Sequence, residues 1–261
     1  MIHLIFFIIS FLASLAGSVC GIGGGVIMKP LLDAFGILSV SAISFLSGCT
    51  VLAMSAVSIG STLRQPEKQI DMKEILPLAL GAAAGGVIGK IVFQEIRDRT
   101  GSEDMLGLIQ AAVLLAITAL TFVYTIRKQK IRTLKIENGF AGLGVGLLLG
   151  CSSSFLGIGG GPINLMVLNF CFSMSTKKAA VNSLFIILIS QIFSIGQTVL
   201  TGTVPEVDLR LLLLMAVGGI LGGKLGNRVR KGVDERYVDL LFEGMMLAIM
   251  AINVHNIFSF M

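Results

Sequence analysis

The chain has 261 residues, of which 54% are hydrophobic and only 13% charged. Soluble domains carry about 25% charged residues, so this composition, with a mean hydropathy of +0.91, excludes an ordinary soluble domain and a nucleic-acid-binding one. The formal net charge of +5 comes from basic residues that cluster between apolar stretches, at membrane edges.

A membrane-spanning helix needs about 20 apolar residues. In chain order, the first half offers Ile2–Val19, a short Val26–Ile37 after a glycine run, then Ser41–Leu63, Ile75–Phe93 and Met105–Tyr124. The second half offers Phe140–Phe155, a short Pro162–Phe172, Ala179–Leu200, Leu209–Val229 and Tyr237–Phe258. The order long, glycine run, short, long, long, long therefore occurs twice. The first stretch lacks the basic start and the small-residue cleavage site of a signal peptide, and it has a partner in Phe140–Phe155, so it is expected to be retained.

The halves also match residue by residue. Gly21-Ile22-Gly23-Gly24-Gly25 returns as Gly157-Ile158-Gly159-Gly160-Gly161, and Ser58-Ile59-Gly60 as Ser194-Ile195-Gly196, both at an offset of 136. Ile70-Asp71 aligns with Val207-Asp208, and Gly81, Gly85 and Gly89 with Gly218, Gly222 and Gly226, at 137. This is an internal duplication, with repeats over 1–130 and 131–261. Counting all ten segments as crossings or half-crossings puts 14 lysines and arginines in or at the edge of the loops of one side, Lys68 and Arg230 among them, against Arg97, Arg99 and the edge residue Arg210 on the other. The basic side is then cytoplasmic. Five segments per half make the repeats inverted, related by an axis in the membrane plane. The predicted fold is an all-α integral membrane protein of two inverted five-segment repeats, multi-pass in the cell membrane.

Three consecutive glycines oppose helix formation, each by about 1 kcal/mol relative to alanine. Unwound backbone at membrane depth is tolerated where it lines a cavity or is buried in protein. Each run precedes a short helix, and Pro162 stands at a favoured first-turn position. A helix N-terminus attracts anions, so two such starts point to a shared midplane site. The expected substrate-binding residues are Gly21, Gly23, Gly24, Gly25 and Lys29 in the first half, with Ser47. In the second they are Ser154, Gly157, Gly159, Gly160, Gly161, Asn164, Asn182 and Ser183. The hydroxyls and amides are hydrogen-bond donors that need no buried charge. Among the charges in apolar segments, Lys29 is expected to face the cavity or the interface, and Asp33 and Lys224 to snorkel. Glu243 is a candidate proton-coupling group.

The paired G-I-G-G-G runs, with Pro30-Leu31-Leu32 after the first, resemble those of the TauE/SafE family of membrane transporters, and the resemblance covers essentially the whole chain. It implies export of small sulfur-containing anions such as sulfite or sulfoacetate. Lys29 is a departure, since an apolar residue is expected before the proline.

Other patterns carry no chemistry. Gly81-x3-Gly85-x3-Gly89, Gly142-x3-Gly146-x3-Gly150 and Gly218-x3-Gly222-x3-Gly226 read as faces for close helix approach. Gly218 to Lys224 fits the start of a phosphate loop, but Leu225 stands where Ser or Thr is required. Cys20, Cys49, Cys151 and Cys171 lack metal spacing, and only His3 and His255 are histidines. No catalytic residues, metal or cofactor are expected. The expected partners are a small anionic substrate and the lipid bilayer, without nucleic acid; a homodimer and a monomer both stay open. The alternative function is an anion channel, or a permease for another small carboxylate or anion.

Overall fold

A computed structural model describes residues 2–261 apart from 65–69, 71 and 137. Lys68 and Asp71, used above for the loop charge and the repeat alignment, lie outside the described residues. The described chain forms ten α-helices and no strand: α1 (Ile2–Cys20), α2 (Gly25–Asp33), α3 (Val40–Leu63), α4 (Met72–Thr100), α5 (Glu103–Arg127), α6 (Gly139–Phe155), α7 (Pro162–Phe172), α8 (Thr176–Leu200), α9 (Leu209–Gly232) and α10 (Glu235–Phe260). Seven of them, α1, α3, α4, α5, α8, α9 and α10, are long and apolar enough to cross a membrane. The 17-residue α6 is at the short limit for spanning, whereas α2 and α7, of 9 and 11 residues, are too short to span.

Polar caps set the helix starts. The side chains of Ser39, Ser102, Asn138 and Asp208 accept from backbone amides in the first turns of α3, α5, α6 and α9. Helix α4 outruns its apolar stretch at both ends. Arg97 and Arg99, expected in a loop, instead ride in its last turn, with Arg99 paired to Glu95 at 2.6 Å. Arg230, counted above as a loop charge, is buried within α9; Lys224 is exposed.

The packing scheme survives exchange of the two halves. Helix α1 packs on α9 and α6 on α4; α3 packs on α9 and α8 on α4; α3 meets α8, and α5 meets α10. The glycine faces make the closest of these crossings. Gly81 and Gly85 of α4 rest on the backbone of Leu143 and Leu147 in α6, and Gly218 and Gly222 of α9 on that of Phe7 and Phe11 in α1. A methyl at Gly85 or Gly222 would sit only 2.8–2.9 Å from a backbone nitrogen of the facing helix, so bare backbone is the reason these helices can touch. Helices α3 and α8 form the centre and are the most buried spans, while α5, α9 and α10 turn most of their surface outward. Leu4 and Leu12 of α1, Leu120 of α5, Leu148 of α6, Leu213 of α9 and Leu240 of α10 project outward, a surface that suits lipid and not water.

Candidate functional site

The two glycine runs interrupt the helices as their composition requires: residues 21–24 and 156–161 are non-helical. Gly21 and Gly157 take φ of +77° and +65°, and Gly23 and Gly159 +74° and +69°, conformations that L side chains rarely adopt. Gly21 abuts Ala180 and Gly157 abuts Ser44, positions related by the repeat offset. Gly25 rests on the Ile158 carbonyl, and a methyl at Gly160 would lie 3.2 Å from the Ile22 carbonyl oxygen. Thus the structure brings both runs together, backbone to backbone, between α3 and α8.

The helix starts carry no side-chain cap: Gly24 caps α2 and Gly161 caps α7. The third amide of each, Ile27 and Asn164, donates to the cap carbonyl at 3.3 and 3.1 Å, and no Ser or Asp side chain among the described residues serves the amides before them. The central helices line the runs with one stripe each. Ser44 faces Gly157, Ser47 lies against Gly25, and Val51 touches Gly23 and Gly159. On α8, Ala180 faces Gly21 and Ile187 faces Gly23 and Gly160, which places Ser183 on the same helical face between them. Ser14 of α1 abuts Gly24.

The polar groups of this region are unusual in their bonding. The hydroxyls of Ser14, Ser44, Ser47, Ser154 and Ser183, and both polar atoms of the Asn164 side chain, are buried without a hydrogen-bond partner among the described residues. Buried polar groups are ordinarily paired, and each unpaired one costs about 1–3 kcal/mol. Asn182 differs, since its amide donates to the Lys178 carbonyl at 2.8 Å.

Two charged candidates sit apart from the runs. Lys29 is buried in α2, but its ammonium is held by Asp33 at 2.6 Å, one turn on; neither side chain snorkels. Glu243 lines an open groove of about 620 Å³ between α5 and α10, with Lys128, Arg236 and Asp239. Lys128 pairs there with Asp239 at 2.6 Å.

A residue that the sequence reading passed over stands closer. Lys90 of α4, 8% exposed, lines a narrow cavity with Ser44, Ser154, Gly157, Gln191, Ser194 and Thr198. Its free volume of about 20 Å³ holds about one water. The signal was there in the sequence: a lysine between Gly89 and Ile91 inside an apolar stretch, aligned by the repeat with polar Asn227.

Comparison with known proteins agrees with this architecture. The family model described as Sulfite exporter TauE/SafE matches residues 6–254. The "Probable membrane transporter protein YunE" of Bacillus subtilis (strain 168) is 22% identical over 271 residues, covering 95% of this chain and 96% of that protein. A protein of Methanocaldococcus jannaschii, also named as a probable membrane transporter, is 23% identical over 252 residues, covering 92% and 90%. No solved structure matches the chain. With the match running from α1 into α10, the chain belongs to the TauE/SafE family of membrane transporters and is a multi-pass membrane protein.

Proposed function

We propose that the protein is a secondary transporter that exports a small sulfur oxyanion or organosulfonate, such as sulfite or sulfoacetate. Its two halves act as inverted repeats that rock against each other by alternating access, with the anion held at the midplane where the glycine runs meet. The observation that carries this reading is the set of buried, unpaired donors beside the runs: Ser47, Ser154, Ser183 and the Asn164 amide. Hydroxyl and amide donors, with two helix N-termini that no side chain caps, suit an anion whose charge is spread over several oxygens. Bringing it in would satisfy groups that otherwise weaken the fold.

The glycines give this site its shape, because only backbone can approach backbone this closely. The proposed cytoplasmic face is the basic one, which carries Arg127, Lys128, Lys130, Arg132 and Lys135 between the halves. Counterflow of labelled sulfite, sulfoacetate and sulfate in proteoliposomes, with and without a pH gradient, tests the function. Accumulation of label driven by unlabelled sulfite or sulfoacetate supports it. Flux that only runs down its gradient, without counterflow, identifies a channel instead.

A further inference from the structure

Lys90 is a buried cation without a counter-charge. Among the described residues its ammonium makes no ion pair or hydrogen bond, and its close contact is the Phe93 ring, 4.4 Å from Nζ to the centroid. A cation–π contact contributes about 0.5–2 kcal/mol, whereas desolvating an ion costs several kcal/mol. Intramembrane charges ordinarily pair within the protein and mark substrate and ion paths, so an unpaired one calls for a partner from outside the chain.

The surroundings of Lys90 are set for an anion. Ser44 and Ser154, both with unpaired hydroxyls, line its cavity together with the Gln191 amide. Gly157 opens the same cavity onto the second glycine run. One turn beyond Lys90, Gln94 donates to Thr203 in the connection between α8 and α9, so the cavity lies toward that end of the molecule.

The duplicated counterpart is closed on itself. The repeat places Ser18 and Ser58 where Ser154 and Ser194 stand, and Asn227 where Lys90 stands. There, Ser18 Oγ lies 3.2 Å from Ser58 Oγ and donates to the Gly223 carbonyl at 3.0 Å. Asn227 donates to the Ser58 carbonyl at 3.3 Å, and Arg230 to the Ser18 carbonyl at 3.1 Å. One architecture thus occurs twice, satisfied by protein in one half and left with a bare cation and bare hydroxyls in the other.

We propose that Lys90, Ser44, Ser154 and Gln191 form a binding subsite for the oxyanion group of the transported substrate, with Lys90 as its counter-charge. This rests on the reading of the protein as an anion transporter and adds the group that selects a charged cargo over a neutral one. Sulfite, sulfonate and carboxylate present the same acceptor oxygens to a lysine and two hydroxyls. The long side chains of Lys90 and Gln191 are the parts able to swing aside to admit an anion larger than one water.

The test is calorimetric titration of the purified full-length protein with sodium sulfite, sodium sulfoacetate and sodium acetate, comparing wild type with K90Q, K90M, K90R and S154A. Wild type binds at least one of the three. K90Q and K90M weaken that binding by more than about tenfold, while K90R, which keeps the charge, binds more tightly than either. Binding by K90Q equal to wild type overturns the proposal and leaves Lys90 as a packing partner of Phe93. If the neutral variants do not fold, S154A decides: weaker binding supports the subsite, and unchanged binding overturns it. A wild-type protein that binds none of the three overturns both the subsite and the anion-transporter reading. Binding lost in K90Q but kept in N164L retains the subsite and overturns the site at the glycine runs alone.

Discussion

Gly25, the first residue of α2, packs directly on the carbonyl of Ile158 in the opposite half of the chain. A methyl at Gly25 would lie 2.8 Å from the Ile158 carbonyl carbon and 2.9 Å from Ser47 Oγ. Backbone cannot move aside as a side chain can, so this contact fixes how closely the two broken segments approach.

Gly25→Ala is therefore expected to destabilise the protein by at least the 1–3 kcal/mol typical of overpacking. Gly161→Ala is the contrasting variant. Gly161 has extended φ of −172°, and its methyl would meet only the tip of Ile158, at 3.3 Å. It should fold with a melting temperature close to wild type yet lose transport, since the methyl stands at the start of α7. Gly24→Ala and Gly160→Ala separate the two effects less cleanly, because they run into Ser14 and Ile187. Melting temperature and counterflow on each variant provide the check.

The helix-crossing glycines divide the same way. Gly85→Ala and Gly222→Ala drive a methyl into the backbone of α6 and α1 and should each cost about 1–3 kcal/mol or more. Gly144 and Gly244 lie within helices with nothing within 4 Å of an added methyl. Alanine there should stabilise by about 0.5–1 kcal/mol. Thermal or denaturant unfolding in detergent reads the sign, and destabilisation at Gly144 would remove the distinction between crossing and free-facing glycines.

Lys29 and Asp33 form a buried pair, 3% and 5% exposed. Lys29→Ala leaves the carboxylate buried alone, and breaking such a pair by one partner costs about 3–5 kcal/mol. The double variant Lys29→Met, Asp33→Leu should recover most of that loss. If Lys29 instead bound substrate, the double variant would fold well and lose anion affinity, which titration detects.

The architecture was largely legible because its signals are local. Glycine runs break helices whatever surrounds them, so the short α2 and α7 and the ten-segment order could be read directly, and Pro162 marked the start of α7. Polar Asn164 and Ser47 stood out for the same reason, as side chains that lipid would not tolerate. What could not be read was which helix face meets which neighbour. Arg230 sits in the last turn of α9, where a snorkelling side chain and a buried one have the same sequence context, and only the packing of α9 on α1 buries it. Lys90 stood visibly inside an apolar stretch, but the cavity it meets depends on the packing of α4 on α8. The Lys29–Asp33 spacing of one turn was visible, but its burial depends on α2 being enclosed by α1, α3 and α10.

Topology has its own check. Cysteines placed within Lys128–Lys135 should react only with cytoplasmic reagent, and ones at Gly101 only with external reagent. Reaction of both from one side would contradict inverted repeats.

The most direct measurement of the central claim is the melting temperature of Asn164→Leu with and without sulfite. Asn164 is 1% exposed, with both side-chain polar atoms unpaired among the described residues, so replacing it by an apolar side chain of similar size removes a desolvation cost of about 1–3 kcal/mol. If that amide serves the anion, the variant melts higher than wild type without sulfite and loses the sulfite-dependent rise that binding gives wild type by mass action. A variant that melts lower without sulfite and keeps the full sulfite-dependent rise would contradict an anion site at the paired glycine runs.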